Sequence, residues 1–341
     1  MNFDFSPLPG RLLPWYAENR RELPWRRDRQ PYHVWLSEIM LQQTRVEAVK
    51  GYYLRFLAAL PTVADLAAAE EALCHKLWEG LGYYSRVRNL QKAARVIVET
   101  HGGVFPTDYA AVRALPGVGD YTAGAICSIA FEQPTPAVDG NVLRVAARLA
   151  LHETPVDTPA VKRALTEALA AVYPAGHCGD FTQALMELGA TVCGPGGAPK
   201  CDLCPLAGLC RAHHAGRELD VPVRTVKKPR RQEEMTVFLL ESDRGFAIRK
   251  RPDRGLLAAL WEFPHVPGRL EAEAALAAVE RWGLRPTELI QAVEKKHIFT
   301  HVEWNMRGYY LRCEGSGEFT WASREALAGE YALPTAFRQF L

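Results

Sequence analysis

Leu115-Pro116-Gly117-Val118-Gly119-Asp120-Tyr121-Thr122-Ala123-Gly124-Ala125-Ile126 is the stretch that sets the fold. A proline and two glycines separate helical apolar patterns over 108–114 and 121–131. The glycines allow a sharp turn between two helices, with positive φ where the turn needs it. Backbone N–H groups at such a turn, running into a helix N-terminus, form an anion site. Gly117, Val118 and Gly119 are therefore expected to grip a phosphate without reading sequence.

The same three- and four-residue steps extend outward, over 34–59, 65–80, 87–100, 141–151, 159–173 and 180–192. Pro61, Gly80, Gly82, Pro134, Pro136 and Pro155 separate them. Many helices with short connections imply a compact all-α domain over 1–223. Residues 224–232 carry clustered Arg and Lys around Pro229 and read as a linker. Beyond it, MTVFLL (235–240), FAIRK (246–250) and WNMRGYYLR (304–312) are strand-like, and 271–282 reads as a helix. The fold class is multidomain, an all-α domain followed by an α+β domain over 233–341.

The chain has 341 residues and a formal net charge of only +2, so any nucleic-acid footprint must be local. Met1 to Gly10 has no basic start and no long apolar run, and no window approaches a membrane span. This predicts a cytoplasmic protein with reduced thiols. Cys74, Cys127, Cys178 and Cys313 are scattered among apolar residues and read as small buried hydrophobes. Cys193, Cys201, Cys204 and Cys210 are different: their spacing, C-x7-C-x2-C-x5-C, reads as a four-thiolate metal site. Only one C-x2-C pair is present, so a single loop would wrap one group. That favours an iron–sulfur cubane and leaves zinc open, with His213 and His214 nearby.

Two carboxylates stand out. Glu38 lies among Trp35, Ile39, Met40 and Leu41. A solvated surface residue is the ordinary reading of a helical Glu, but these neighbours suggest burial and a raised pKa. Asp139 precedes Gly140-Asn141 and the start of a helix, where an N-cap is the ordinary reading.

LPGVG-x-x-TA, the downstream VDGN (138–141) and the four-cysteine loop together resemble the helix-hairpin-helix DNA glycosylases with a 4Fe–4S cluster. Within that family, the endonuclease III-like branch carries a lysine two residues after the second glycine, which forms a Schiff base. This chain has Tyr121 there, and a phenol cannot form an imine. WLSEIMLQQTRV (35–46), GLGYYSRVRNL (80–90), QALMELGA (183–190) and GLLAALWEFP (255–264) resemble the monofunctional adenine glycosylase branch. The C-terminal part resembles a Nudix (MutT-like) fold without the catalytic Nudix box.

The resemblance implies a glycosylase of base excision repair that hydrolyses the N-glycosidic bond of adenine opposite 8-oxoguanine or guanine. It implies Glu38 as the general acid near adenine N7 and Asp139 as the carboxylate stabilising the oxocarbenium ion, with Asn141 in support and Tyr121 hydrogen-bonding near Asp139. It places Trp25, Arg26 and Glu187 around the adenine, with Glu187 accepting from the exocyclic amine. Gln43 and Tyr83 would fill or wedge the duplex, and Phe299-Thr300-His301 would contact 8-oxoguanine. A 4Fe–4S cluster would be the cofactor and double-stranded DNA with A:8-oxoG or A:G mispairs the partner. A monomer at the bacterial nucleoid, with no membrane association, is expected. Two features depart from the family pattern: the first cysteine gap holds seven residues rather than six, and Asp120 puts a negative charge in the phosphate-binding turn. Thr300 also replaces the usual Ser, keeping the hydroxyl and adding a methyl group.

Overall fold

The computed structural model describes residues 3–226, 229–315 and 317–341. Lys227 and Lys228, within the expected linker, lie outside the described residues. The helices before the linker are α1 (Leu8–Asn19), α2 (Pro31–Leu41), α3 (Val46–Ala59), α4 (Val63–Ala68), α5 (Glu71–Trp78), α6 (Ser85–His101), α7 (Tyr109–Ala114), α8 (Asp120–Phe131), α9 (Gly140–Ala150), α10 (Pro159–Ala170), α11 (Cys178–Thr191) and α12 (Arg211–His214). Beyond it come β1 (Arg231–Ser242), β2 (Gly245–Lys250), β3 (Trp261–Glu262), β4 (His265–Pro267), α13 (Ala272–Glu280), β5 (Arg285–Ile298), β6 (Val302–Glu314), β7 (Thr320–Ala322), α14 (Arg324–Gly329) and α15 (Thr335–Arg338).

By contacts the chain divides into two compact units. One comprises Met1–Ala68 and Asn89–Val226, the other Ala69–Arg88 and Lys227–Leu341. Residues 69–88 thus group with the C-terminal chain. The buried Glu79 carboxylate explains why: it accepts from the Leu333 amide at 3.0 Å and pairs with Arg338 at 2.5 Å and Lys76 at 2.7 Å.

In the first unit, α1, α9 and α11 share a core through Leu8, Leu12, Val145, Leu149, Phe181 and Leu185. Helix α2 is apolar nearly all round and buries Tyr32 and every residue from Val34 to Met40. A helix of that kind sits inside a fold, and a carboxylate on it is buried with it. It packs on α8, whose Ala123-Gly124-Ala125 run permits close approach. A Cβ on Gly124 would meet the Pro136 carbonyl oxygen at 2.2 Å. The helix expected over 34–59 is two helices. Gln43 interrupts it with φ 56°.

In the second unit, the sheet order is β3-β2-β1-β6-β5, with β4 on β1 and β7 on β2. β1 and β6 run parallel, and the other pairs are antiparallel. Met235, Val237, Leu239, Trp304, Met306 and Phe337 form a core on one face. Phe238, Leu240, Tyr309, Leu311, Ala275 and Val279 form one on the other, under α13. This is the expected α+β architecture. Strand β5 has no counterpart among the expected strands: it is an edge strand and almost wholly exposed, so it lacks an apolar alternation.

Candidate active site

A cavity of about 190 Å³ opens within the first unit. Glu38 from α2, Tyr121 from α8, Asp139 and Asn141 at the start of α9, and Glu187 from α11 all line it. Four helices therefore converge their polar residues on one volume. No lysine lines it.

Glu38 is buried. The Tyr121 hydroxyl donates to its Oε2 at 2.5 Å, and the Asp139 charge is felt at the same phenol. Burial pushes the Glu38 carboxyl up to about 7; the phenol hydrogen bond opposes this shift and the Asp139 charge adds to it. Burial also raises the Tyr121 phenol well above its ordinary value, so it remains a donor.

Asp139 is the N-cap of α9. Its Oδ1 accepts from the amides of Asn141 and Val142, each at 2.8 Å, and its Oδ2 from Asn141 Nδ2 at 2.7 Å. Burial raises its pKa, and these three donors and Arg144 hold the rise down. The capping role and a chemical role thus fall on one residue. Asn141 is itself held, because Arg144 Nη2 donates to its Oδ1 at 2.8 Å. Gly189 lies so close that a Cβ there would meet Asn141 Cβ at 2.6 Å.

Glu187 lies at the other end of the cavity with its side chain fully buried. Its Oε1 accepts from Arg21 N at 3.1 Å and Arg21 Nε at 2.6 Å, and its Oε2 from Arg21 Nη2 at 2.9 Å and Arg26 Nη2 at 2.7 Å. Four donors occupy a carboxylate's four acceptor positions. Burial opposes its charge, but the two arginines prevail and hold its pKa below the ordinary value. The expected acceptor for an exocyclic amine is thus engaged by guanidinium groups, and Arg26 Nη1 donates in addition to the Arg21 carbonyl at 3.1 Å. Trp25 completes the wall, edge-on to Tyr53 at 5.6 Å.

In the helix-hairpin turn, Gly117 has φ 78°, and a Cβ there would meet Asn89 Cβ at 2.6 Å. The Val118 amide donates to the Leu115 carbonyl at 3.1 Å and its side chain is buried. Val118 is thus an anchor, which narrows the expected phosphate contact to the exposed Gly117 and Gly119. Asp120 points outward, 83% exposed, and Arg113 Nε holds it at 2.5 Å. The same guanidinium donates from Nη1 to the Val118 carbonyl at 2.9 Å, so the Asp120 charge is paired beside the turn.

Gln43 and Tyr83 both adopt left-handed backbone, φ 56° and 47°, and both are exposed. Such strain in bulky residues marks functional positions. In the second unit the Tyr83 hydroxyl lies 2.8 Å from Thr300 Oγ1. Phe299, Thr300 and His301 form the turn between β5 and β6, with Phe299 edge-on to Trp304 at 4.8 Å. The structure thus joins two residues that sequence reasoning treated separately.

The cysteine loop follows α11. Cys193, Cys204 and Cys210 pack against the core of α1, α9 and α11. Cys201 and Cys204 are each pushed up to about 11, first by burial and further by the neighbouring sulfurs. Arg148 Nη1 donates to Cys193 Sγ at 3.2 Å. Cys201 Sγ, His213 Nδ1 and Glu218 Oε1 lie within 4.8 Å of one another. Four clustered sulfurs beside a buried guanidinium fit a thiolate-bound metal group, because such a cation stabilises thiolate charge. Sequence reasoning passed over Arg21, Arg144 and Arg148. The last two do leave a signal: arginines four apart among Val, Leu and Ala in one helix, both buried.

Comparisons with known proteins agree with this geometry. Residues 36–171 match the family described as HhH-GPD superfamily base excision DNA repair protein, and residues 236–341 match the NUDIX domain. The human protein named adenine DNA glycosylase is 38% identical over 378 residues, covering 93% of this chain and 69% of that protein. The rat protein of the same name is 37% identical over 370 residues, covering 92% and 72%. A solved thermostable thymine-DNA glycosylase superposes with a TM-score of 0.56 at 30% identity, over 61% of this chain and 95% of its own. With a paired Glu38 and Asp139, a tyrosine in place of the imine-forming lysine, and relatives matched along nearly the whole length, the chain belongs to the adenine DNA glycosylase family.

Proposed function

We propose that the chain excises adenine mispaired with 8-oxoguanine or guanine in double-stranded DNA, by hydrolysis of the N-glycosidic bond, and leaves an abasic site. The observation that carries this is the buried Glu38, its carboxyl near 7, sharing one cavity with Asp139 and with Tyr121 at the place of the imine-forming lysine. Adenine must leave the base stack to enter that cavity. Glu38 then gives its proton to N7 and makes the base a better leaving group. Tyr121 donates to Oε2, which leaves Oε1 as the oxygen that would carry the acidic proton. Asp139 stabilises the positive charge that develops on the sugar, as one of two carboxyl groups in different protonation states. Trp25, Arg26 and the Arg21–Glu187 pair frame the purine.

Gly117 and Gly119 would hold a backbone phosphate, and Gln43 and Tyr83 would support the duplex around the extruded nucleotide. Phe299, Thr300 and His301 would contact 8-oxoguanine from the C-terminal domain, 233–341, with 1–223 as the catalytic domain. Cys193, Cys201, Cys204 and Cys210 would hold a 4Fe–4S cluster that staples the end of the helical domain. Iron and acid-labile sulfide, rather than zinc, should accompany the purified protein, and Cys204→Ala should lose both. A monomer acting in the cytoplasm at the nucleoid completes the reading. No described helix is long and apolar enough to cross a membrane.

Single-turnover excision on an A:8-oxoG duplex, with an alkali step to reveal abasic sites, tests the proposal. Asp139→Asn should slow it by roughly 10³-fold, the scale of lost transition-state charge stabilisation. Borohydride should trap no covalent complex. Full activity in Asp139→Asn, or efficient trapping, would overturn the assignment.

A further inference from the structure

A second, larger cavity of about 750 Å³ adjoins the first. The two share Arg21, Leu23 and Arg26, so the segment between α1 and α2 is a common wall. The outer cavity is otherwise built from the end of α1 and from Lys50 on α3, with Glu18, Glu22, Arg20 and Arg27 around it. It therefore offers carboxylate acceptors and guanidinium donors and faces, the groups that bind a free purine.

The wall is made to open on one side only. The Arg21 side chain is 36% exposed, whereas Glu187 behind it is fully buried. If Arg21 swings outward, Glu187 does not become an unpaired buried charge. It keeps Arg26 Nη2 on Oε2 and the Arg21 amide on Oε1. That removes the main penalty for breaking a buried ion pair, which is the orphaned partner. The inner cavity is also lined by Leu41, Thr44 and Val46, on either side of the exposed Gln43 in sequence. On the adenine-excision reading, the duplex covers the side of Gln43.

We propose that the outer cavity is an exit site for the excised purine, reached by a swing of Arg21, so that free adenine leaves while the abasic duplex is still bound. This rests on the excision reading given above. No bond is made or broken in the step: a neutral base passes from the inner cavity to the outer one.

The test uses the full-length, cluster-loaded protein and an A:8-oxoG duplex carrying tritiated adenine. Under single-turnover conditions, filter binding separates free base from protein-bound DNA after excision is complete. The expected result is tritium in the filtrate while abasic duplex stays on the filter. Ala17→Trp places a bulky ring at an exposed position of the outer cavity, outside the inner one. It should leave alkali-labile site formation unchanged and slow base release to the rate of duplex dissociation. Base that leaves the wild type only together with the duplex, or leaves Ala17→Trp at the wild-type rate, overturns the exit site. Failure to form alkali-labile sites at all would instead remove the excision reading on which the exit site rests.

Discussion

At the residue scale, Glu38 carries the strongest pH consequence. Its carboxyl titrates near 7 in the folded protein, against an ordinary value of 4.5. The protonated form is the competent acid, so the single-turnover rate should fall as pH rises past about 7. Glu38→Gln should lower the rate by about 10²–10⁴-fold and flatten the profile. Stability follows the same sign. A carboxyl raised on folding favours the folded state fully below pH 4.5, and that contribution is lost as pH rises through about 7. Denaturation of Glu38→Gln should lack this loss, which is on the order of 3 kcal/mol in wild type. Tyr121 tunes the same proton. Its hydrogen bond lowers the Glu38 pKa, so Tyr121→Phe should move the alkaline limb of the rate profile to higher pH. An unmoved limb would mean that another group sets it.

At the scale of elements, position comes from close backbone approach. Gly124 on α8 lies against the Pro136 carbonyl, three residues before Asp139, which fixes Tyr121 relative to Asp139. Gly124→Ala should destabilise the protein by about 1–3 kcal/mol through overpacking, read as a lower denaturation midpoint. Excision should slow in proportion to the shift of Asp139. Much of this was legible beforehand. The glycine turn, the helix bearing Glu38, the cap at Asp139 and the cysteine loop announce themselves by local pattern. The break at Gln43 did not, because a left-handed residue in a non-glycine position carries no compositional mark. Strand β5 did not, because an exposed edge strand needs no apolar alternation. The Glu187 cluster was only half visible. Arg26 and Glu187 match known positions, but that Arg21 joins them depends on contacts 166 residues apart in sequence.

At the scale of the whole molecule, the contact units do not follow a single cut. Residues 69–88 are interior to the helical sequence, yet their partners lie after 226. A chain ending at 226 should therefore keep amide protection in α8, α9 and α11 and lose it over 69–88, as hydrogen exchange would report. Retained protection over 69–88 would mean that this segment holds its structure without Leu333 and Arg338. The Glu79 anchor also has a consequence for synthesis on the ribosome. Translation runs at about 5–20 residues per second, so Glu79 emerges roughly ten seconds or more before Leu333 and Arg338 exist to receive it. During that interval the Glu79 carboxylate keeps Lys76 but waits for the Leu333 amide and the Arg338 guanidinium.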